Sequence, residues 1–313
     1  MPMSNQYTST SPLKIGTRGS PLALAQAEET RDRLMAAHDL PAEAFDIRVI
    51  NTSGDIIQDR PLSEVGGKGL FTKEIELALF EGEIDIAVHS CKDVATVLPD
   101  GMAITTYLPH EDVRDAFVSL KYASLDELPE GATVGTSSIR RRAQLLAYRP
   151  DLKTVEFRGN VQTRLRKLSE GVAEATFLAC AGLSRLGLAE TGVPIGIDQM
   201  LPAPAQGAIA IEQRTDDKDL QAFLRPLHHL NTEICVTMER AFLAELDGDC
   251  RSPIAANAMV DGATVTLRGE ILRLDGSEMH SGSWTCQIDE RLDVAITAAQ
   301  MLKSKAGGGF FGV

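Results

Sequence analysis

The stretch Thr133-Val-Gly-Thr-Ser-Ser-Ile-Arg-Arg-Arg142 joins a short apolar strand to the first turn of a helix. It contains a threonine and two serines at 136–138, and such residues cap helix N-termini because their hydroxyl oxygens accept backbone N–H bonds. A similar stretch, Ile15-Gly-Thr-Arg-Gly-Ser20, lies about 120 residues earlier and also opens a helix, with Pro21 at its first position. Two matching strand–helix units predict two related α/β domains.

Strands and helices alternate on both sides of these stretches. Apolar runs of strand length are expected at 14–17, 45–51, 84–89, 133–136, 154–157 and 175–180. Helices are expected at 21–37, 71–80, 139–148 and 161–168. This alternation is typical of α/β domains with mixed, mainly parallel sheets. After Asn231 the pattern changes to a helix, three strand-like stretches between 254 and 287, and a last helix at 291–303, which predicts a small α+β domain.

The chain of 313 residues is acidic, with a net charge of −13, but one window is strongly basic. Residues 136–167 contain nine lysines and arginines against two acids. The overall acidity argues against general nucleic-acid binding, which needs a broad basic surface. No apolar run has the length of a membrane span, and residues 1–11 lack the hydrophobic core of a signal peptide, so a cytoplasmic protein is expected.

Several arginines of this window are placed at helix starts, where the helix dipole disfavours cations. Arg140 and Arg141 follow the Ser138 cap, and Arg164 lies just inside the next helix. Helix N-termini attract anions through their N–H groups, and guanidinium forks bind carboxylate or phosphate. A solvated basic face would give the same count, but the repeated position at caps favours a site for several carboxylates or phosphates.

A second candidate site lies at the end of the apolar strand 84–89, which delivers Ser90, Lys92 and Asp93 to its tip. In open α/β sheets, ligands bind beyond the carboxyl ends of the strands. A carboxylate there could stabilise a cationic intermediate or move a proton. A helix-capping aspartate beside a surface lysine is the alternative interpretation. Lys68, in the stretch Gly66-Gly-Lys-Gly69, has the wrong spacing for a P-loop and is expected in a mobile loop.

The five cysteines are widely spaced and form no Cys-x-x-Cys pair, which favours reduced thiols and no structural zinc. Cys250 differs from the others, because it lies in the polar turn 246–253, where a thiol would be accessible. His228 and His229 have no companion ligands at metal spacing, so no metal site is predicted.

An ordered series of motifs over nearly the whole chain resembles the porphobilinogen deaminase (hydroxymethylbilane synthase) family. The motifs are Thr17-Arg-Gly-Ser-Pro-Leu-Ala23, Gly66-Gly-Lys-Gly-Leu-Phe71, Asp85-Ile-Ala-Val-His-Ser-Cys-Lys-Asp-Val94, Arg114-Asp-Ala-Phe117, Gly135-Thr-Ser-Ser-Ile-Arg-Arg141, Arg158-Gly-Asn-Val161, Ala181-Gly-Leu-Ser-Arg-Leu-Gly187 and Gln206-Gly-Ala208. Cys250 lies where the family carries its cofactor cysteine.

The resemblance implies a transferase that adds four porphobilinogen molecules head-to-tail, with loss of ammonia, to a dipyrromethane cofactor. The cofactor would be held by a thioether to Cys250. The product, hydroxymethylbilane, would be released by hydrolysis for tetrapyrrole biosynthesis (heme, siroheme, chlorophyll or cobalamin). Each pyrrole carries an acetate and a propionate, which would explain an arginine-rich window in an acidic chain.

The family's site residues carry over position by position. Asp93 and Lys92 would be catalytic, and Asp93 would stabilise pyrrole cations and assist proton transfer. Lys68 would lie in a loop that covers the site. The residues implied to bind cofactor and substrate are Arg18, Ser20, Lys68, Ser90, Thr136, Ser137, Ser138, Arg140, Arg141, Arg158, Arg164, Arg185 and Gln206.

The implied fold has two α/β domains like the type II periplasmic binding proteins, joined by two crossovers, and a small α+β domain that carries Cys250. The predicted division is 1–110 plus 208–226, then 111–207, then 227–313. The expected partners are porphobilinogen and, transiently, uroporphyrinogen-III synthase. A monomer that binds neither nucleic acid nor membrane is expected. A cytoplasmic anion-binding protein on the same fold is the rival, but it would not explain Cys250 or the third domain.

Overall fold

The structure, a computed structural model, describes residues 7–56, 69–248 and 252–311. Within these ranges the chain forms two compact units. The first contains residues 7–56, 69–110 and 208–233, and the second contains residues 111–207, 234–248 and 252–311.

The first unit is built on a mixed five-stranded sheet. Its strands are β1 (Leu13–Thr17), β2 (Phe45–Val49), β3 (Ile86–Ser90), β4 (Met102–Tyr107) and β10 (Ile209–Arg214), in the order β2-β1-β3-β10-β4. The first three strands are parallel, and β10 is antiparallel to β3 and β4. The α-helices are Pro21–His38, Ser53–Ile56, Lys73–Phe80 and Lys218–Leu224, and the 3-10 helices are Ala42–Ala44, Cys91–Asp93 and Arg225–Leu227.

The second unit contains two sheets. The strands of the first are β5 (Asp115–Ser119), β6 (Thr133–Gly135), β7 (Lys153–Val155), β8 (Ala175–Ala179) and β9 (Val193–Pro194), in the order β7-β6-β8-β5-β9. The second is antiparallel and contains β11 (Ile254–Asp261), β12 (Thr264–Leu272) and β13 (Met279–Gln287). The α-helices are Ile139–Tyr148, Val161–Ser169, Cys180–Arg185, Leu230–Glu245, which begins in the first unit, and Arg291–Ala306; the 3-10 helices are Ala189–Thr191 and Ile288–Glu290.

The two five-stranded sheets have the same strand order and the same directions. In the second unit β6 is parallel to β7 and β8, and β5 is antiparallel to β8 and β9. The chain passes from the first unit to the second after residue 110 and returns after residue 207. The predicted α/β class with two related mixed sheets, two crossovers and a small antiparallel domain is confirmed. The residue limits of the three domains stay a prediction.

The Gly-Thr pairs of the two matching sequence stretches occupy equivalent strands. A Cβ atom on Gly16 would overlap the Ile84 side chain, and one on Gly135 would overlap the Phe157 ring. Close packing against the sheet therefore explains both glycines. Each strand leads into a helix with a serine N-cap, so the sequence echo reflects one structural unit used twice.

The antiparallel sheet buries one face under two helices. Strand β12 alternates buried and partly exposed residues, as expected for a sheet with one covered face. Phe242 on the helix before the sheet and Leu302 on the helix after it are fully buried against Leu267 of β12. This core fixes the position of β11, the strand that follows residues 249–251.

Candidate active site

The end of β1 places Arg18 and Ser20 at the start of the helix Pro21–His38. The Ser20 Oγ accepts a hydrogen bond from the Ala23 N–H at 3.2 Å, so this serine is the N-cap. The Arg18 guanidinium lies 4.2 Å from the centroid of the Phe71 ring, a cation–π distance. The ring supports the guanidinium plane and limits its movement.

The end of β3 presents the predicted catalytic pair. Ser90 is the last residue of the strand, and one 3-10 turn, Cys91–Asp93, follows. The cysteine of this turn is buried, whereas Lys92 and Asp93 are exposed. The Asp93 Oδ2 lies 4.0 Å from Nη1 of Arg18. Because both side chains are partly exposed and the distance is long, the ion pair is weak.

Ser90 is held by Gln26 of the neighbouring helix. The Gln26 Nε2 donates to Ser90 Oγ at 2.9 Å, and Gln26 Oε1 lies 3.0 Å from the same hydroxyl as an acceptor. One pocket of the first unit gathers four predicted site residues, Arg18, Ser20, Ser90 and Asp93, together with Leu22, Ala23, Gln26, Phe71, Thr72, Val88 and His89. Lys92 adjoins this pocket but does not line it.

Gln26 is a pocket residue that the sequence prediction missed. The sequence does contain a signal for this residue, because an Ala-Gln pair follows both matching strand–helix stretches, at Gln26 and at Gln144. The equivalent Gln144 is also buried; its Nε2 donates to the Leu201 carbonyl at 2.9 Å and its Oε1 accepts from the Leu201 N–H at 2.7 Å. In each unit the glutamine therefore fixes the helix to an adjacent segment.

His89, beside Ser90 on β3, is buried. It is 5% exposed, and its Nε2 lies 3.0 Å from Glu212 Oε2 on β10. The contact links β3 to the antiparallel strand beside it and so stabilises the strand that carries Ser90.

In the second unit the hydroxyl groups at the end of β6 bind the main chain. Ser138 caps the helix Ile139–Tyr148, with the Arg141 N–H 3.4 Å from its Oγ. The Thr136 Oγ1 accepts from the Ser138 N–H at 3.2 Å, and the Ser137 Oγ accepts from the Phe157 N–H at 3.0 Å. These bonds shape the helix start and occupy one acceptor position on each hydroxyl.

Arg140 and Arg141 are buried, each 5% exposed, and both bind Asp115, the first residue of β5. The Arg140 Nη2 donates to Asp115 Oδ2 at 2.8 Å, and the Arg141 Nη2 donates to Asp115 Oδ1 at 2.6 Å. Gln206 donates from Nε2 to the same Oδ1 at 2.9 Å. The structure thus brings three predicted residues together, around a carboxylate to which the sequence prediction gave no role.

The charges of this cluster are strongly coupled. Burial raises the pKa of Asp115, but Arg140 and Arg141 lower it by more, and the net pKa lies well below the usual range. Burial lowers the pKa of Arg140, while Asp115 raises it. The cluster therefore holds one negative and two positive charges away from water.

The other three predicted arginines are partly exposed. Asn160 caps the helix Val161–Ser169, and the Arg164 Nε donates to the Gly159 carbonyl at 2.9 Å. The carbonyl of Arg158 accepts from Lys167 Nζ at 3.0 Å. Arg185 ends the helix after β8, and its Nη2 donates to the Gly207 carbonyl at 3.1 Å. The three residues thus lie at or near the ends of strands and helices.

Two predicted site residues, Lys68 and Cys250, lie outside the described residues. The structure consequently places neither the predicted loop lysine nor the predicted attachment thiol. Within the described ranges, no helix is long and apolar enough to cross a membrane.

Comparison with protein-family models shows which family the chain belongs to. Residues 13–222 match the family model "Porphobilinogen deaminase, dipyromethane cofactor binding domain", and residues 233–304 match "Porphobilinogen deaminase, C-terminal domain". The chain belongs to the porphobilinogen deaminase family. The family's first model spans both five-stranded sheets, and its second spans the antiparallel sheet.

Individual porphobilinogen deaminases match over nearly full length. The enzyme of Paracoccus denitrificans is 57% identical over 301 residues, which cover 96% of each chain. That of Nitrobacter winogradskyi is 54% identical, covering 95% of this chain and 94% of its own. A chloroplastic porphobilinogen deaminase of Oryza sativa is 53% identical and covers 96% of this chain and 85% of its own. The methionine-binding protein MetQ has a TM-score of 0.44 at 17% identity, covering 71% of this chain and 91% of its own.

The residues present fit the dipyrromethane cofactor that the family model names. A two-pyrrole group with acetate and propionate side chains is an anion, and guanidinium groups and capped helix starts are suited to anions. Such donors lie at the end of β1 in the first unit, and at the end of β6 and the start of Val161–Ser169 in the second. In each unit these donors have the chemistry that binds carboxylates.

Proposed function

We propose that this chain is a hydroxymethylbilane synthase, which joins four porphobilinogen molecules head-to-tail, with loss of ammonia at each addition. The observation that carries the proposal is the pocket in which the Asp93 carboxylate stands 4.0 Å from a guanidinium supported by an aromatic ring. In a protein that only bound anions, Arg18 would raise the affinity for the anion, but a carboxylate beside it would lower that affinity. In a reaction that develops positive charge on an anionic substrate, the arginine can bind the substrate and the carboxylate can stabilise the positive charge.

Asp93 is proposed as the catalytic group. When the carbon–nitrogen bond of porphobilinogen breaks and ammonia leaves with the electron pair, positive charge develops on the pyrrole, and a nearby carboxylate stabilises it. When the new carbon–carbon bond has formed, the attacked ring loses a proton, which Asp93 can accept. Lys92, exposed on the same turn, is proposed to pair with a substrate carboxylate.

The partly exposed arginines are proposed to bind the pyrrole carboxylates. This group contains Arg18, Arg158, Arg164 and Arg185, and the hydroxyl groups of Ser20, Ser90, Thr136, Ser137 and Ser138 are proposed to assist them. Arg140 and Arg141 belong to the proposed set in a different way. Because their guanidinium groups already bind Asp115 and main-chain carbonyls, they are proposed to act mainly through their positive field at a helix start. Gln206 is proposed to act through Asp115.

Cys250 is proposed to hold the cofactor through a thioether, and Lys68 to lie over the site. When bound, the dipyrromethane supplies an attached end on which substrate units accumulate. The chain is further proposed to be a cytoplasmic monomer that makes transient contact with uroporphyrinogen-III synthase. The family relationship supports porphobilinogen as the substrate.

Intact-protein mass spectrometry tests the proposed function. The wild-type protein and the matched control Cys180→Ser should carry a two-pyrrole adduct, and Cys250→Ser should not. Incubation with porphobilinogen should add steps of one porphobilinogen less one ammonia. Asp93→Asn should keep its adduct while turnover falls by about two orders of magnitude. An adduct on Cys250→Ser would contradict the attachment, and half of wild-type turnover in Asp93→Asn would contradict the catalytic role.

A further inference from the structure

The segment Leu201–Gly207 binds two of the proposed arginines directly. It is the last stretch of the second unit before the chain returns to the first unit. The Leu201 carbonyl accepts from Arg140 Nη1 at 2.8 Å. At the other end of the segment, the Gly207 carbonyl accepts from Arg185 Nη2 at 3.1 Å. The positions of these guanidinium groups therefore depend on the path of this segment.

The same segment reaches a third arginine through one intermediate. Gln206 donates from Nε2 to Asp115 Oδ1 at 2.9 Å, and this oxygen accepts from Arg141 Nη2 at 2.6 Å. A second donation from Gln206 Nε2, to the Val113 carbonyl at 2.8 Å, fixes the direction of the amide. The segment thus contributes to the placement of Arg141 as well.

A buried carboxyl group on the helix Leu230–Glu245 holds this segment in place. Glu239 is 1% exposed, and its Oε2 accepts from the Ala205 N–H at 2.6 Å. Its Oε1 accepts from the Ala258 N–H of β11, also at 2.6 Å. Burial raises the pKa of Glu239 to about 8, against the lowering effect of these two N–H groups and of the Asn257 side chain, so burial favours the uncharged carboxyl form.

The bond to Glu239 is made at an unusual backbone position. Ala205 has a φ of 62°, in the left-handed region that a residue with a Cβ atom avoids by roughly five- to thirtyfold. It is also buried, at 1% exposure. The short bond to the carboxylate favours this conformation, and the conformation directs the next residue, Gln206, towards Asp115.

We infer that Glu239 is a positioning residue for the arginines of the proposed function. It joins β11, which begins at Ile254, four residues after Cys250 in the sequence, to the segment that holds Arg140, Arg141 and Arg185. Through this link the domain that carries the proposed attachment cysteine fixes the guanidinium groups of the proposed site. The inference rests on the proposed role of those arginines.

Glu239→Gln tests the inference. A glutamine can present one acceptor oxygen, so its NH₂ group must face either Ala205 or Ala258, and one N–H loses its partner. We expect the KM for porphobilinogen to rise about five- to hundredfold, the range for leaving one buried N–H without a partner, with a smaller change in kcat. If the glutamine variant does not fold, Glu239→Asp, which is too short to reach both N–H groups, carries the same test.

A second substitution separates positioning from general stability. Glycine adopts a positive φ without the cost that alanine has, so adding Ala205→Gly to Glu239→Gln should lower the raised KM again by about fivefold or more. Ala205→Gly alone should leave KM near the wild-type value. Phe242→Leu is the control, because it opens a cavity in the same helix away from the segment, and it should lower the melting temperature without raising KM.

Two outcomes would overturn the inference. One is that Glu239→Gln leaves the KM unchanged while Arg185→Leu raises the KM. The inference would then be wrong, but the proposed function would stand. The other is a raised KM that Ala205→Gly does not reduce, which would mean that the backbone position of Ala205 is not the connection. If Arg185→Leu, Arg158→Leu and Arg164→Leu all retain the wild-type KM, the proposed carboxylate-binding role itself is wrong.

Discussion

Replacing Asp115 with asparagine should destabilise the second unit strongly. The carboxylate is completely buried and accepts four hydrogen bonds, from Arg140 Nη2 at 2.8 Å, Arg141 Nε at 3.2 Å, Arg141 Nη2 at 2.6 Å and Gln206 Nε2 at 2.9 Å. Asparagine is almost the same size, but it removes the negative charge and turns one acceptor into a donor. Two guanidinium groups would then remain buried without a counter-charge.

The size of the effect follows from the cost of breaking a buried ion pair, about 3–5 kcal/mol. For a unit of this size, 1 kcal/mol shifts the melting temperature by about 2–4 °C. The melting temperature of Asp115→Asn should therefore fall by roughly 6–20 °C. Differential scanning calorimetry in a Cys250→Ser background would measure this without a contribution from bound cofactor, which would otherwise stabilise only the variants that carry it.

Asp198→Asn is the matched control. Asp198 binds Arg268 at 2.6 Å in the same unit, a distance equal to the shortest one at Asp115, but the aspartate side chain is 90% exposed. An exposed pair contributes at most about 1 kcal/mol, so the control should melt within a few degrees of the parent. Equal melting temperatures for the two variants would refute the reasoning that burial makes the Asp115 cluster important.

Three further substitutions test other parts of the structure. Burial raises the pKa of Glu270 from 4.5 to about 7, so ionising this group destabilises the folded state. As the pH rises through this window, the parent should lose up to about 3 kcal/mol of stability relative to Glu270→Gln. A difference in melting temperature between the two proteins that stays constant from about pH 5 to 8 would contradict this. Gly276→Ala should be less stable than Gly262→Ala by about 1 kcal/mol or more, measured by urea unfolding, because both glycines have positive φ but only a Cβ on Gly276 would overlap the main chain at Ala147. Phe71→Leu should raise the KM for porphobilinogen about two- to fivefold through loss of the contact with Arg18, whereas Phe80→Leu, at a phenylalanine that is 70% exposed, should not.

The parts of the fold that the sequence predicts best are those with local signals. The strand–helix units at 13–38 and 133–148 combine an apolar strand, a serine cap and a helix, and each signal lies within a few residues of the element it determines. The strand β5 was missed because it begins with Asp115, and a charged residue is not expected in a fully buried strand position. Its burial is possible only because Arg140 and Arg141, some 25 residues away, supply the counter-charge.

The candidate site shows the same limit. The motif at the end of β3 predicts an exposed carboxylate at a strand tip, and the structure places Asp93 there because one short turn decides its exposure. The motif at the end of β6 predicts arginines at a helix start, which is also observed. Helix position alone does not determine whether such a side chain is exposed, and the burial of Arg140 and Arg141 depends on β5 and on Gln206, which are distant in sequence.

The burial of two arginines beside a carboxylate has a consequence for a site that handles many carboxylates. Exposed guanidinium groups repel one another and adopt many conformations, so each bound anion must first order them. Asp115 lowers that cost for Arg140 and Arg141, because it holds both in one geometry before any ligand is bound. The cluster still has one positive charge in excess, and it lies at a helix start whose dipole has the same sign. Neutralising the pair completely with a second acid would keep the geometry and lose the attraction, whereas removing Asp115 would keep the charge and lose the geometry. A single buried aspartate shared by two arginines therefore satisfies both requirements of the proposed anion site.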